Sequence, residues 1–260
     1  MIYNNDSLKN NRVMFSIIIA TYNADKTLER CLNSLRYQSV DNAEVIIIDG
    51  KSTDNTLKII EKNKDIITYA ISESDKGISD AWNKGLDVSK GEWIIFLGGD
   101  DYLVNKNVLE NIQEYRISNQ DMDLLLGNIY LVNDRGEKVD KISNKYLEKQ
   151  FKRAMSIPHQ GIIHSRKYFE DYGFFDISFK LCADYELLLR KKTPLLVKQI
   201  DVDVSNMQIG GVSQVYEKKV WDEWKRAQLL HKTNSFLYIN TLNLYRKIKY
   251  HRNKLMRNNK

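Results

Sequence analysis

The chain has 260 residues, of which 42% are hydrophobic, and this length can bury a substantial core. Its net charge of +6 lies in the last segment, because residues 242–260 contain seven Lys or Arg and no acidic residue. This asymmetry argues against a folded domain whose whole surface binds nucleic acid. No apolar run approaches the roughly 18 to 20 residues that cross a bilayer, so we expect neither a spanning helix nor a standard secretion signal.

Four apolar runs of strand length, each followed by an amphipathic stretch, make up the first half of the chain. The first run, VMFSIIIA at 13–20, precedes a stretch in which Leu28, Cys31, Leu32 and Leu35 recur at helical spacing. The same alternation follows the runs EVIIID at 44–49, IITYAIS at 66–72 and EWIIFL at 92–97. Alternating strands and helices predict an α/β fold with a mostly parallel sheet and helices on both faces.

The pattern changes after residue 120. The stretch DLLLGNIYLVNDRGEKV predicts two strands joined by a turn at 133–136, and HQGIIHS and VKQIDVDVSNM predict further short strands. Two short helices are predicted at SRKYFEDYG and ADYELLLRK, and the pattern is helical from about 216, with a polar break near Thr233 and Asn234. We therefore predict one main domain over 1–215, with halves at about 13–120 and 121–215, and a helical extension over 216–260.

Polar residues follow each of the four strands. They are Thr21-Tyr22-Asn23, Asp49-Gly50-Lys51-Ser52, Glu73-Ser74-Asp75-Lys76-Gly77 and Gly98-Gly99-Asp100-Asp101. In open parallel sheets, ligands bind at the carboxyl ends of the strands, which is where these residues fall. Asp100 and Asp101 could form a polar turn with a helix cap. Two adjacent carboxylates beside two glycines favour instead a hard cation, Mg²⁺ or Mn²⁺, shared with a substrate phosphate.

Several of these segments, in this order, resemble the motifs of glycosyltransferase family 2. The segments are FSIIIATYNADKTLERCLNSL, VIIIDGKSTDNT, ISESDKGISDAWNKGL, GEWIIFLGGDD and ADYELLLR. The resemblance covers about residues 13–215 and implies a GT-A fold. The variant SESDKGISDAWNKG, with PHQG and GGVS, is similar to bacterial enzymes that add hexoses to lipid-linked oligosaccharides in O-antigen, capsule or exopolysaccharide assembly.

The resemblance implies roles for the residues at the strand ends. The donor-binding residues it implies are Thr21, Tyr22, Asn23, Asp49, Ser52, Asp75, Lys76, Gly77, Asn83 and Asp100. Asp49 would accept a hydrogen bond from the uracil imide, although a helix-entry turn would also explain it. Lys76 could equally be a solvated surface lysine, and Asn83 could serve helix–sheet packing. Asp100 and Asp101 would hold Mn²⁺ or Mg²⁺, but the family often has Asp or Asn where this chain has Gly98.

The second half supplies the expected acceptor site. By the resemblance, Asp184 is the general base, although an Asp at this position could also be an ordinary helix cap. His159 and Gln160 would contact the acceptor or a phosphate, although a histidine at a strand margin is as often structural. Gly210, Gly211 and Ser213 would form a loop that closes on the diphosphate.

The basic segment at 242–260 interleaves apolar residues with its cations. It could be a solvated helix face or a nucleic-acid arm, but the interleaving favours an interfacial helix on anionic lipid. The two cysteines, Cys31 and Cys182, fit no metal-ligand spacing, and we expect both as reduced thiols in a cytoplasmic protein. We therefore expect a peripheral protein on the inner face of a bacterial cytoplasmic membrane, with no nucleic-acid partner.

The sequence thus predicts an inverting, metal-dependent transferase that moves a hexose from a UDP-sugar to a saccharide acceptor, which we expect to be lipid-linked. Two alternatives remain open at this point. A non-catalytic, membrane-associated partner would explain Gly98 as a degenerate motif. A dinucleotide-dependent oxidoreductase would use a similar sheet, but TYNADKT after the first strand is not a G-x-G-x-x-G loop.

Overall fold

A computed structural model of the chain describes residues 2–4, 12–117, 119, 121–210 and 216–258. The strands of this part are β1 Ile2–Asn4, β2 Phe15–Thr21, β3 Ala43–Asp49, β4 Tyr69–Ser72, β5 Trp93–Gly98, β6 Tyr102–Leu103, β7 Leu124–Val132, β8 Lys138–Ile142, β9 Ile162–Ser165 and β10 Val197–Gln208. The helices are α1 Leu28–Arg36, α2 Thr56–Lys62, α3 Ile78–Val88, α4 Val108–Ile117, α5 Glu148–Phe151, α6 Arg166–Tyr172, α7 Ala183–Leu188, α8 Glu217–His231 and α9 Phe236–Asn258, and a 3₁₀ turn spans His159–Gly161.

The strands form one mixed sheet in the order β1, β4, β3, β2, β5, β9, β7, β10, β6, with β8 paired to β7. Strands β4, β3, β2 and β5 are parallel to one another, and β7 is parallel to β10. Strand β9 runs antiparallel to both β5 and β7 and so joins the two parallel groups. The predicted strand–helix alternation of the first half is confirmed.

Hydrophobic clusters cover both faces of the sheet. Successive side chains of a strand point to opposite faces, so Ile18 lies in one cluster while Ile17 and Ile19 lie in the other. Helices α1, α2 and α4 pack on the face of Ile17, whereas α3, α6, α7 and α8 pack on the face of Ile18. Because β2 is buried on both faces, it reads in the sequence as a continuous apolar run rather than an alternating one.

Helix α8 is part of the core, although the sequence predicted residues 216–260 as one extension. Its Val220, Trp221 and Ala227 lie in the same cluster as α7. Helix α9 packs against α8, and its Tyr250 reaches that cluster as well. The break between the two helices, at residues 232–235, coincides with the predicted break at Thr233 and Asn234. The packing of α8 and α9 against this cluster therefore contributes to the stability of the domain.

Replacing Trp221 by Ala should destabilise the whole fold, because its side chain is only 8% exposed. Truncating a buried Trp typically costs about 3–5 kcal/mol of unfolding free energy. Leu230→Ala is the matched control, since Leu230 lies on the same helix but is 57% exposed, and it should cost less than about 0.5 kcal/mol. Urea unfolding measures both values. Equal stability of the two variants would show that α8 does not belong to the core.

Cys31 and Cys182 are both buried free thiols, and the helical spacing of Leu28, Cys31, Leu32 and Leu35 predicted the burial of Cys31. Burial raises the pKa of both thiols well above the usual range. In the described ranges, no helix has both the length and the apolar character to cross a membrane.

Candidate active site

The carboxyl ends of four strands meet in one row. Thr21 of β2 lies opposite Asp49 of β3, and Asp49 lies opposite Ser72 of β4. On the other side of β2, Ala20 lies opposite Gly98 of β5. The parallel register therefore brings three of the four predicted polar clusters to one edge of the sheet, and the fourth begins directly after Ser72.

Asp49 is the hydrogen-bond centre of this edge. Its side chain is fully buried, and its two carboxylate oxygens accept four hydrogen bonds. The donors are Thr21 Oγ1 at 3.0 Å, the Ser52 amide at 2.9 Å, Ser52 Oγ at 2.5 Å and Ser72 Oγ at 2.6 Å. A nucleobase would have to displace one of these donors to reach Asp49. The contact with a uracil imide stays a prediction, and in this conformation Asp49 joins three strand ends.

The loop after β2 is tied to the loop after β3. Asn23 has a positive φ of 48°, which Asn tolerates better than most residues. Its amide donates to Ser52 Oγ at 2.8 Å, and its side-chain oxygen accepts from the Thr53 amide at 2.9 Å. Tyr22 remains 67% exposed. The loop thus holds Asn23 against the protein and presents the Tyr22 ring to the crevice.

The loop at 75–77 lies close to Gly50. A Cβ on Gly50 would lie 2.6 Å from Asp75 Oδ2 and 3.4 Å from Tyr22 Cδ2, so the Asp75 carboxylate would have to move for any larger residue. Asp75 Oδ1 accepts a hydrogen bond from the Gly77 amide at 2.9 Å, and Gly77 has a φ of 119°. Lys76 is exposed. Tyr22, Gly50 and Asp75 therefore form one continuous wall at the strand ends.

Asn83 has a structural partner. Its side-chain amide donates to the Phe175 carbonyl and accepts from the Phe175 amide, both at 2.9 Å. Both ends of the Asn83 amide are thus used to fasten α3 to the chain after α6. Its predicted contact with the donor remains untested, and the observed role agrees with the packing alternative.

Asp100 and Asp101 converge on Gly98. A Cβ on Gly98 would lie 2.5 Å from Asp100 Oδ1 and 3.2 Å from Asp101 Oδ2. Asp101 Oδ2 accepts a hydrogen bond from the Gly98 amide at 3.0 Å. The Asp100 carboxylate therefore occupies the space that a side chain at position 98 would need. Gly98, where the family often has Asp or Asn, thus leaves room for the Asp100 carboxylate in this position.

Asp101 is 2% exposed, whereas Asp100 is exposed. Burial, and next the neighbouring charge of Asp100, raise the pKa of Asp101 to about 7. The Gln160 side chain and the Gln208 backbone act in the opposite direction and lower the pKa of Asp101. Gln208 ends β10, two residues before Gly210, which has a φ of 99°. Gly211 and Ser213, predicted to close on the diphosphate, lie outside the described residues.

The carboxylate pair fits a divalent cation that is shared with a substrate. Two carboxylates held together at a crevice repel each other, and a cation between them would offset this repulsion. Among the described residues, no group of three or more His, Cys, Asp or Glu side chains could hold a metal ion. Mg²⁺ is commonly bound through one or two carboxylates plus substrate phosphates. Asp100 and Asp101 match that smaller donor set.

Asp184 lies in the first turn of α7 and is partly exposed. The N-cap residue of α7 is Cys182, and Asp184 Oδ1 accepts a hydrogen bond from the next amide, that of Tyr185, at 2.8 Å. The capping alternative for Asp184 is therefore wrong. Burial raises the pKa of Asp184 to about 6. A carboxyl group with a pKa in this range can accept a proton at neutral pH.

His159 lies next to Asp184. The distance from His159 Nδ1 to Asp184 Oδ2 is 3.8 Å, and the imidazole stacks on the Trp82 ring with centroids 4.6 Å apart. The His159 side chain is 6% exposed, and neither ring nitrogen has a hydrogen-bond partner among the described residues. Burial lowers the pKa of His159 to about 3, so the ring is neutral. A neutral imidazole with free nitrogens can hydrogen-bond to a substrate hydroxyl beside Asp184.

The 3₁₀ turn at His159–Gly161 separates two acidic groups. His159 faces Asp184, while the Gln160 side chain reaches Asp101. These two residues, which the sequence predicted as one acceptor-binding pair, therefore point to different carboxylates. The turn therefore lies between the Asp101 and Asp184 carboxylates.

Sequence reasoning missed Arg30, which supports the carboxylate pair from α1. Its guanidinium donates to the Asp100 carbonyl at 3.2 Å and to Gln208 Oε1 at 3.1 Å, and it lies 4.4 Å from the Tyr102 ring centroid. Arg30 occupies an ordinary position of an amphipathic helix, so no local pattern distinguishes it from a solvated cation.

Comparisons with known proteins agree with this arrangement. The profile of the family described as Glycosyl transferase family 2 matches residues 16–179, a range that includes every strand-end cluster and the turn at His159. A glycosyltransferase of PGL/p-HBAD biosynthesis from Mycobacterium bovis is 30% identical over 214 residues, which cover 79% of this chain and 81% of that protein. The Staphylococcus aureus poly(ribitol-phosphate) beta-N-acetylglucosaminyltransferase TarS is 35% identical over 127 residues, which cover 47% of this chain and 22% of TarS.

Solved structures share the fold. The crystal structure of S. aureus TarS 1–349 superposes with a TM-score of 0.67 at 21% identity, covering 89% of this chain and 69% of that one. The mannosyltransferase PcManGT from Pyrobaculum calidifontis, in complex with GDP-Man and Mn²⁺, gives 0.61 at 15% identity, covering 87% and 66%. The family match decides against the dinucleotide-dependent alternative. The chain belongs to glycosyltransferase family 2 and is a glycosyltransferase with the GT-A fold.

Proposed function

We propose that this enzyme transfers a hexose, with inversion, from a UDP-sugar to a hydroxyl of a saccharide acceptor that is linked to a lipid, in the synthesis of a bacterial surface polysaccharide. The observation that carries the proposal is the 3₁₀ turn at His159–Gly161, because it places a carboxylate pair on one side and a separate basic carboxylate on the other. A nucleotide-sugar diphosphate needs the first group. An acceptor hydroxyl needs the second.

We infer that the nucleoside of the sugar donor is uridine. TarS, the relative with 35% identity over 127 residues, has crystal structures of its residues 1–349 in complex with UDP and with UDP-GlcNAc. Tyr22 and Asp75 lie on either side of Gly50, the residue after Asp49, and the exposed Tyr22 ring offers a surface on which a base can stack. Lys76, which is exposed in the same loop, adds a positive charge that can turn toward the diphosphate.

In the proposed reaction, Asp184 removes the proton from the acceptor hydroxyl. Above pH 6, Asp184 is mostly ionised and can take the proton of the acceptor hydroxyl. The hydroxyl oxygen then forms a bond to the anomeric carbon as the bond to the UDP oxygen breaks on the opposite face, which inverts the configuration. His159, held neutral between Trp82 and Asp184, can orient that hydroxyl. Asp100 and Asp101 would hold Mn²⁺ or Mg²⁺, which supplies charge neutralisation for the departing diphosphate.

A panel of donors tests the proposal directly. The purified protein is mixed with UDP-sugars and with GDP-mannose as the nucleotide control, each with a synthetic lipid-diphosphate saccharide acceptor and with Mn²⁺ or EDTA. We expect transfer from one UDP-hexose that depends on the metal, with inverted configuration at the new linkage. Preference for GDP-mannose, retention of configuration or full activity in EDTA would contradict the corresponding part of the proposal.

The proposal places the protein on the inner face of the cytoplasmic membrane through α9. The outward stripe of this helix consists of Leu237, Leu244, Tyr245 and Ile248, which are 57% to 73% exposed. Lys249 and Arg252 are exposed on the following turns. An apolar stripe next to cations matches the surface of a bilayer with anionic headgroups. Such docking would bring the crevice to a lipid-linked acceptor.

Replacing Leu244 and Ile248 by Ser should weaken binding to vesicles of anionic lipid by tenfold or more. Each fully inserted aliphatic side chain contributes about 1.5–3 kcal/mol, and about 1.4 kcal/mol corresponds to a factor of ten. Truncation would be a poorer test, because Asn243 and Lys247 bond to Asp222 on α8. Co-sedimentation with phosphatidylglycerol vesicles gives the measurement.

The matched control for the stripe is Val139→Ser on β8, which is 60% exposed and lies away from α9. This variant should bind vesicles as the unchanged protein does, and both variants should keep their turnover on a short soluble acceptor. Undiminished vesicle binding by the α9 variant would contradict the membrane role.

A further inference from the structure

The carboxylate of Glu223, on α8, is bonded to three successive backbone amides. The Lys180 amide donates to Oε1, and the Leu181 and Cys182 amides donate to Oε2, each at 2.9 Å. These amides directly precede α7, in which Asp184 is the second residue. One side chain of the C-terminal extension therefore holds the backbone that leads into the proposed base.

The beginning of α7 depends on this carboxylate. The first amides of a helix have no partner within the helix, and a side chain at the N-cap usually accepts from one of them. Cys182 is the N-cap residue of α7 and makes no such hydrogen bond. Glu223 accepts from the Cys182 amide and from the two before it, and such charge-assisted hydrogen bonds are stronger than neutral ones.

The same segment is fastened at two further points. Arg226, one turn after Glu223, donates to the Ser178 carbonyl and hydroxyl at 3.1 and 2.7 Å, and it lies 4.0 Å from the Phe179 ring centroid. The Lys180 ammonium donates to the Lys76 carbonyl at 2.9 Å. The segment at 178–182 thus connects α8 to the loop at 75–77, which we assign to the donor.

The charge of Glu223 also acts on Asp184. The titratable groups that face Asp184 are His159 on the 3₁₀ turn, Cys182 at the start of α7 and Glu223 on α8. His159 is neutral, and burial keeps the Cys182 thiol protonated. Glu223 is therefore the charged member of this set. After burial itself, its negative charge is what raises the pKa of Asp184.

We propose that Glu223 is a positioning residue that, through the backbone amides at 180–182, fixes the Asp184 carboxylate at the acceptor site. The inference rests on the proposed function, because it assigns Asp184 the role of general base. It also gives α8 a part in catalysis that is separate from lipid docking by α9. Residues 16–179, which match the family profile, include neither Glu223 nor Asp184.

The test compares Glu223→Gln with Asp222→Asn. Gln keeps the length of the side chain but turns an NH₂ group toward backbone amides, so the segment at 180–182 loses part of its anchor. Asp222 is the matched control, because it lies next to Glu223 but bonds to Asn243 and Lys247 on α9. The measurements are kcat against pH, UDP affinity, and hydrogen exchange of the amides at 180–185.

We expect Glu223→Gln to lower kcat by about 10²-fold, since displacing a catalytic group by about 1 Å can cost that much, while UDP affinity stays unchanged. The activity of the unchanged protein should fall as the pH drops through about 6, the pKa of Asp184. Without the negative charge of Glu223, this acid limb should move to lower pH. Exchange at 180–185 should accelerate. Asp222→Asn should alter none of these.

A further variant separates charge from geometry. Glu223→Asp keeps the charge but is one methylene shorter, so kcat should fall while the acid limb stays in place. This variant also tests the positioning role of Glu223 if Glu223→Gln does not fold. Normal kcat and an unmoved acid limb in folded Glu223→Gln, or normal kcat in Glu223→Asp, would overturn the inference. An unchanged protein that transfers no sugar would instead overturn the proposed function.

Discussion

Replacing Asp184 by Asn is expected to lower the initial rate of sugar transfer by about 10² to 10⁴-fold, the usual contribution of a general base. Asn keeps the size of the side chain and can still accept a hydrogen bond from the Tyr185 amide. It cannot accept the proton of the acceptor hydroxyl. The loss should therefore appear in the rate and leave the fold intact.

UDP affinity and melting temperature separate the possible outcomes for Asp184→Asn. Both should remain near their original values, because the strand-end residues Thr21, Asp49 and Ser52 bond to one another without Asp184. A variant with nearly normal transfer would remove Asp184 from the role of base. A variant that also loses UDP affinity would place Asp184 in the donor site.

Replacing Asp101 by Ala is expected to abolish the stimulation of transfer by Mn²⁺ or Mg²⁺. Asp101 is the buried member of the carboxylate pair, and the Gly98 amide donates a hydrogen bond to it. Removing it leaves Asp100, which is exposed, as the remaining carboxylate beside Gly98. Transfer rate and UDP affinity are measured with added metal and with EDTA.

Two controls accompany the Asp101 experiment. Asp101→Asn keeps the volume and part of the hydrogen bonding, so its loss of metal stimulation would reflect the missing charge rather than a disturbed loop. Asp121→Ala removes an exposed carboxylate in a turn before β7 and should respond to metal as the unchanged protein does. Metal-dependent UDP binding that survives in Asp101→Ala would contradict the assignment of Asp101 as a ligand.

The strands and helices of the first half could be predicted because each has a recognisable local spacing of apolar residues. β2 and β3 are buried on both faces and read as continuous apolar runs, and α1 buries Leu28, Cys31, Leu32 and Leu35 as their spacing predicts. That the polar residues at the strand ends lie together was also predictable. In a parallel sheet, all carboxyl ends lie at one edge, whatever the order of the strands.

The short elements of the second half were harder to predict. Strand β6 has two residues and α5 has four, which is too short for a periodic pattern to be recognised. The sequence also separated residues 216–260 from the domain. Helix α8 nevertheless packs into the core. The sequence did not predict this contact, because an amphipathic pattern indicates that one face of a helix is buried but does not identify the surface that covers it.

The sequence by itself determined the apolar strands, their amphipathic helices and the polar residues at each strand end, because these features depend on neighbours within a few positions. The tertiary structure alone decided which of those residues act together. It turned His159 toward Asp184 and Gln160 toward Asp101, and it brought Glu223 to amides 41 to 43 residues away. Such contacts come from packing between distant segments, which leaves no local period in the chain.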